Sequence, residues 1–152
     1  MMRRRQWLPV LAMLGSAVTA GAQNPPPKPK PVPPSTRIVG AADFRGTWEG
    51  KSMMGPSDSI VTTFAITVSA DGSAWTLLLP DRDLLTLKVI TIGGDSVVTE
   101  AGPYTSVLRG GETVTTRMTG HLKGRWLAGT FEAHYASGAV AKGTTLATRV
   151  KM

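Results

Sequence analysis

The chain has 152 residues, no cysteine, and 17 basic against 10 acidic side chains, for a formal net charge of +7. The excess charge lies before the region predicted to fold, because from Ala41 onward 11 basic residues accompany 10 acidic ones. A nucleic-acid-binding domain needs a clustered basic face, so no nucleic-acid partner is expected. Without disulfides, the folded part must be held together by its core alone.

Residues 1–22 have the pattern of a secretory signal peptide. Arginines occupy positions 3–5, residues 7–18 form an apolar stretch too short to span a bilayer comfortably, and Ala20-Gly21-Ala22 is an A-x-A cleavage signal. We therefore expect cleavage before Gln23 and a secreted or periplasmic protein with no membrane span afterwards. An uncleaved anchor helix is the alternative, which Pro9 disfavours. With no cysteine at the cleavage site, the protein is not predicted to be a lipoprotein.

Residues 23–40 are predicted to form a linker rich in proline and lysine. Prolines dominate residues 25–34, interrupted by Lys28 and Lys30. Such a run favours extended polyproline II and cannot join a sheet interior. It is interpreted as a spacer, with a docking peptide for a proline-binding or cell-wall partner as the alternative.

Residues 41–152 have the composition of an all-β domain. Thr, Val and Ile are abundant, turn-forming pairs recur at short intervals, and no segment shows a convincing helical period. A two-residue turn at Asp71-Gly72 would place Val68 opposite Trp75, Ile66 opposite Leu77 and Phe64 opposite Leu79, all on one apolar face.

A second hairpin is predicted around Lys123-Gly124. This turn would place Met118 opposite Gly129 and Thr116 opposite Phe131, with Arg117 and Glu132 as diagonal neighbours on the polar face. Further turns are predicted at residues 93–94, 110–111 and 137–138. Two points stay open: whether Gly102-Pro103 separates two strands or breaks one, and which side of residues 84–92 faces inward.

These hairpins add up to about eight or nine antiparallel strands in meander order. The predicted fold is an up-and-down β-barrel, which removes exposed sheet edges, and a β-sandwich is the alternative. Two segments, Gly46-Thr47-Trp48-Glu49 and Gly129-Thr130-Phe131-Glu132, share one pattern and are interpreted as similar strands of one sheet.

The Gly46-Thr47-Trp48 segment, together with Arg149 near the chain end, resembles the signature of calycin barrels (lipocalins, fatty-acid-binding proteins and avidins). The resemblance implies that Trp48 packs against Arg149 where the barrel closes. Gly129-Thr130-Phe131 is similar to G-T-F segments of avidin-like strands. The chain lacks lipocalin disulfides and the biotin-contacting residues of avidins, so biotin binding is not implied.

The sequence gives little indication of a catalytic site or a metal-binding site. The predicted register separates His121 from His134 by more than about 20 Å along the strands, too far to share a metal ion. No serine lies in a G-x-S-x-G turn, and the aspartates mostly occupy predicted turns. We expect no enzyme activity, no metal and no cofactor.

The barrel interior is the remaining candidate site. The candidate ligand-binding residues are the larger inward side chains, Phe64, Trp75, Leu77, Met118, Phe131 and Tyr135. The leading hypothesis is a binding protein for a small hydrophobic molecule. The alternative is an interaction or structural module of the cell envelope with a packed core, which would use loops such as residues 51–59, where Met53 and Met54 lie.

Overall fold

A computed structural model describes residues 38–150, together with Gly21. The chain divides into two units, Met1–Pro33 and Pro34–Met152, and the barrel belongs to the second. The predicted signal peptide (1–22, Gly21 apart) and the predicted linker up to residue 37 lie outside the described residues.

The second unit is a closed barrel of eight antiparallel strands, each paired with its neighbours in sequence, with β8 returning to β1. The predicted up-and-down barrel is confirmed. The strands are β1 Gly46–Met54, β2 Ser59–Val68, β3 Trp75–Leu78, β4 Leu85–Gly93, β5 Ser96–Thr105, β6 Thr113–Lys123, β7 Trp126–Tyr135 and β8 Val140–Arg149.

A short 3-10 helix, Ala41–Phe44, precedes β1. This helix was not predicted, because a single turn is too short to show a helical period in the sequence. In the part of the chain that the structure describes, no helix is long and apolar enough to cross a membrane.

The β2–β3 hairpin has the predicted register, with Val68 paired to Trp75 and Ile66 to Leu77. The predicted third pair, Phe64 and Leu79, lies beyond the end of this ladder. The hairpin loop is longer than the predicted two residues, because the last backbone hydrogen bond before the loop runs from the Ser69 N–H to the Ala74 carbonyl at 2.9 Å. The Asp71 carboxylate closes this loop by accepting the Ser73 N–H at 3.0 Å.

The predicted register of the β6–β7 hairpin is wrong by two residues. The turn is Gly124-Arg125, so Met118 pairs with Phe131 and Thr116 with Ala133. Gly124 has a φ of +62°, which suits the first central position of a hairpin turn of type II′. Because a shift of two residues preserves the alternation, the predicted apolar and polar faces are unchanged.

Two irregularities settle what the sequence left open. The register between β4 and β5 shifts between Val89 and Thr91. Leu87 and Val89 point inward before this shift, and Ile92 points inward after it.

Residues 96–105 form one strand, β5, whose register with β6 shifts between Ala101 and Tyr104. Bulges of this kind reverse the alternation locally, which explains why a simple inward pattern was not visible.

On the outer face, a row of alternating charge crosses five strands. The register places Lys88 beside Glu100, Glu100 beside Arg117, Arg117 beside Glu132, and Glu132 beside Lys142. Arg117 binds Glu100 at 3.2 Å, and Lys142 binds Glu132 at 3.1 Å. Arg117 and Glu132 are thus direct partners in the ladder rather than diagonal neighbours. Opposite charges in facing positions favour this register.

Candidate ligand-binding site

The barrel end beside the 3-10 helix is filled by aromatic side chains. Phe44 and Trp48 are fully buried, and the Phe44 and Trp75 ring centroids are 5.4 Å apart. The Trp48 indole N–H donates to the Phe44 carbonyl at 2.7 Å, and the Trp75 indole N–H donates to the Gly72 carbonyl at 2.9 Å. The cavity beside Trp75 measures only about 10 Å³, which leaves room for at most about one water molecule.

Trp48 and Arg149 lie at this same end, where β1 meets β8. They are Cα partners in the ladder, and the Arg149 guanidinium lies over the Trp48 ring, 4.5 Å from its centroid. Arg149 Nη2 also donates to the Asp43 carbonyl at 2.5 Å. The closure of the sheet and the placement of the 3-10 helix therefore depend on the same two side chains.

The opposite half of the interior contains a cavity of about 40 Å³, here called the interior pocket. Its walls are mainly apolar, with hydroxyl groups from several strands among them. The lining side chains include Thr62, Phe64, Leu79, Tyr104, Thr116, Met118, Phe131, Ala133 and Tyr135. Together they form a small apolar chamber with a few polar groups, the usual character of a small-molecule site.

The polar groups of the interior pocket are two tyrosine hydroxyls with hydroxyl partners. The Tyr104 hydroxyl lies 2.8 Å from Thr116 Oγ1, and Ser106 Oγ donates to the Tyr135 hydroxyl at 3.4 Å. Burial raises the pKa of Tyr104, and the hydrogen bond with Thr116 partly offsets this rise. The phenol is therefore neutral at physiological pH and can both donate and accept a hydrogen bond.

The loop between β5 and β6, residues 106–112, covers the interior pocket with Val107 and Leu108. Ser106 Oγ accepts the N–H groups of Leu108 and Arg109, each at 3.0 Å. Arg82, from the loop after β3, donates to the Thr105 carbonyl at 3.0 Å and to the Ser106 carbonyl at 2.8 Å. Arg82 thus connects two loops across this end of the barrel.

The structure brings five of the six predicted ligand-binding residues to the interior pocket and places one elsewhere. The five pocket residues are Phe64, Leu77, Met118, Phe131 and Tyr135. Trp75 lies at the filled end, in contact with Phe44. All six point inward, as the alternation of side chains predicted. The position of each along the barrel axis depends on the stagger of the strands, which cannot be deduced from the alternation.

Tyr104 and Ser106 line the interior pocket although neither was predicted as a site residue. Both follow Gly102-Pro103, where the bulge in β5 changes which side chains face inward. A Gly-Pro pair inside a predicted strand indicates a bulge or an interruption, but it does not say where the ring of the following tyrosine points.

The loop between β1 and β2 is shorter than predicted. Lys51 to Met54 belong to β1 and Ser59 begins β2, so the predicted extent of the loop, 51–59, is wrong, while its role as a contact surface stays a prediction. Met54 is half-buried and packs near Phe131 rather than forming an exposed contact.

Each histidine has its own carboxylate partner on the outer surface. His121 lies 3.1 Å from Asp95, and His134 lies 3.2 Å from Glu132. These contacts lower the pKa of Asp95, while the pKa of Glu132 is lowered first by Lys142 and then by His134. Within residues 38–150, no group of three His, Cys, Asp or Glu side chains is placed to hold a metal ion.

Comparison with known protein families, with curated proteins and with solved structures found no significant match for this chain.

Proposed function

We propose that this protein is an exported, non-catalytic barrel of the calycin type that binds a small, mainly apolar molecule in the interior pocket. The observation that carries the proposal is the contrast between the two barrel ends. Aromatic side chains fill the end beside the 3-10 helix, whereas the other end keeps an apolar chamber with tyrosine hydroxyls inside it. Apolar walls with a few fixed polar groups suit a ligand with an apolar body and one hydrogen-bonding group.

The volume of the interior pocket limits what it can hold. About 40 Å³ is far below the roughly 300–1,000 Å³ typical of drug-sized ligands. The occupant is therefore either a molecule of a few heavy atoms or the terminal part of a longer one. Outward movement of Val107 and Leu108 would enlarge the space available to it.

The same small volume favours a second candidate function. A barrel filled to this degree can serve as a rigid envelope interaction module whose core only stabilises the fold. In that case truncation of interior residues would reduce stability without changing any binding, and capture of a partner would depend on exposed residues.

Native mass spectrometry separates these two functions. The protein is recovered from the envelope of its own cells and compared with a solvent-extracted sample. A stoichiometric extra mass that disappears on extraction supports the carrier function and gives the class of ligand. A bare protein mass in both samples supports the interaction module.

A matched pair of variants locates the bound molecule. Ala133→Leu adds volume inside the interior pocket, whereas Ala128→Leu makes the same change on the outer face of the same strand. We expect the extra mass to be lost in Ala133→Leu and kept in Ala128→Leu. Retention in both variants would contradict an interior site.

A further inference from the structure

Beyond the last residue of β3, the barrel wall has a gap. The β2–β3 ladder ends at the pair Ala65 and Leu78, yet β2 begins earlier in the chain, at Ser59. Within residues 38–150, this early part of β2 has a paired strand on the β1 side alone. We call the opening between it and residues 79–82 the lateral gap.

Pro80 explains why the ladder stops. Continuing the register by one more hydrogen-bonded pair would place Thr63 opposite Pro80. Proline has no N–H, so it cannot donate to the Thr63 carbonyl. That carbonyl instead accepts the hydroxyl of Thr62 at 3.2 Å. The lateral gap is thus a consequence of one residue at a defined place in the register.

The lateral gap lies between the interior pocket and the outer surface. Phe64 and Leu79 line the interior pocket and also an outer groove of about 860 Å³. Thr62 and Val107 line the interior pocket and also a second outer cleft of about 480 Å³. The same side chains therefore border both the interior pocket and the outer surface at the lateral gap.

The outer groove has apolar ends and charged groups of both signs between them. In one row across five strands, the register places Trp126, Thr148, Glu49, Ala65 and Leu78 side by side. Trp126 and Leu78, at the two ends, are 50% and 47% exposed.

The charges along the groove balance. Glu49 and Asp81 supply two carboxylates, while Lys51 and Arg82 supply two cations. Such a lining carries no net charge and gives no electrostatic preference to an anionic or a cationic ligand. A neutral polar group can form hydrogen bonds there without desolvating a charge of its own.

We propose that the lateral gap is the entrance to the interior pocket, and that the ligand is an amphiphile with a short apolar tail and an uncharged polar head. This inference rests on the proposed function. The tail passes between Phe64 and Leu79 into the interior pocket, and the head stays in the outer groove beside Glu49 and Lys51.

The entrance is tested by closing the lateral gap. Pro80→Val supplies the missing N–H and a strand-forming side chain, so one more ladder pair can form with Thr63. Pro56→Val, in the turn between β1 and β2, is the matched control. Binding of n-hexyl glucoside is followed by stopped-flow tryptophan fluorescence. We expect the association rate to fall at least about tenfold in Pro80→Val, because binding would then require a conformational change that reopens the entrance. The rate should stay unchanged in Pro56→Val. A melting temperature no lower than that of the unchanged protein shows that Pro80→Val is folded.

The ligand class is tested on the unchanged protein, so this measurement does not depend on the folding of a variant. Affinity for butyl, pentyl and hexyl glucoside should rise about fourfold per added methylene, the increment for burying one CH₂ group. Hexyl sulfate and hexyltrimethylammonium should bind at least tenfold more weakly than hexyl glucoside. Equal affinity for all three head groups would overturn the assignment of an uncharged head.

Ala133→Leu distinguishes failure of the entrance from failure of the site. If Ala133→Leu abolishes hexyl glucoside binding while Pro80→Val leaves the rate unchanged, the entrance is wrong and the interior site stands. If neither variant changes binding, or if no glucoside binds, both the site and its entrance are overturned.

Discussion

The guanidinium carbon of Arg149 lies 4.5 Å from the centroid of the Trp48 ring, across the junction of the first and last strands. Both side chains also bind the 3-10 helix, Trp48 through the Phe44 carbonyl and Arg149 through the Asp43 carbonyl. The contact that joins the two ends of the sheet thus also holds the helix that fills this end of the barrel.

Replacing Arg149 should therefore lower the stability of the barrel even where the positive charge is kept. Arg149→Lys keeps the positive charge but loses the planar group that stacks on Trp48. We expect a loss of about 1–2 kcal/mol in the free energy of unfolding, the range for a partly desolvated cation–π contact, measured by urea denaturation. Arg45→Lys, at an exposed position at the same end, is the control. Equal stability of Arg149→Lys and the unchanged protein would contradict a structural role for the stacked guanidinium.

Gly129 allows β6 and β7 to approach closely. A Cβ atom at this position would lie 1.7 Å from the Thr119 carbonyl oxygen, whereas a Cβ atom at Gly93 would meet nothing within 4 Å. Because backbone atoms cannot move aside as side chains can, Gly129→Ala should cost about 3 kcal/mol, the upper part of the range for overpacking. Gly93→Ala should change stability by less than about 0.5 kcal/mol. Thermal unfolding of the two variants checks the difference, and similar melting temperatures would disprove it.

Asp71 should make the β2–β3 hairpin sensitive to acid. Its carboxylate accepts hydrogen bonds from the Ser73 N–H and from the hydroxyls of Ser69 and Ser73, which lower its pKa from 3.8 to about 2. Because the pKa in the folded state is the lower one, the stabilisation is fully present above about pH 4 and is lost as the pH falls toward 2.

The unfolding free energies of the protein and of Asp71→Asn, measured from pH 2 to pH 7, test this expectation. Asparagine keeps the shape of the side chain but does not titrate in this range. We expect the unchanged protein to be the more stable of the two near neutral pH, with the difference constant down to about pH 4 and shrinking below it. A difference that does not depend on pH would rule out the carboxylate as its source.

Arg82 should control how firmly residues 106–112 cover the interior pocket. Arg82→Ala removes the donors to the Thr105 and Ser106 carbonyls, so the loop should open more often. We expect amide hydrogen exchange at Leu108 and Arg109 to become at least about tenfold faster, which corresponds to about 1.4 kcal/mol. Arg45→Ala, an exposed arginine at the other end of the barrel, should leave those amides unchanged. Equal exchange rates in Arg82→Ala and the unchanged protein would show that other contacts hold the loop.

The alternation of side chains was readable from the sequence because it depends on immediate neighbours. The apolar positions Ile66, Val68, Trp75 and Leu77 alternate on either side of Asp71-Gly72, and this local pattern predicted both the faces and the register of the hairpin. The faces of β6 and β7 were also correct although the turn was misplaced by one residue, since Gly124 took the first rather than the second central position. Moving a hairpin turn by one residue changes the register of its two strands by two residues. Because side chains alternate with a period of two, this change leaves the two faces as predicted.

Tertiary structure decided what depends on residues far apart in the chain. The size of the interior pocket depends on side chains from several strands and on the bulge that turns Tyr104 inward, so no local pattern could predict it. Pro80 is an example of a residue whose chemistry is local but whose effect depends on the tertiary structure. Its missing N–H is visible in the sequence, but its effect on the barrel wall follows only once the register places it opposite Thr63. Local chemistry set the strands and their faces, whereas strand stagger and packing decided where the interior stays open and where the β2–β3 ladder ends.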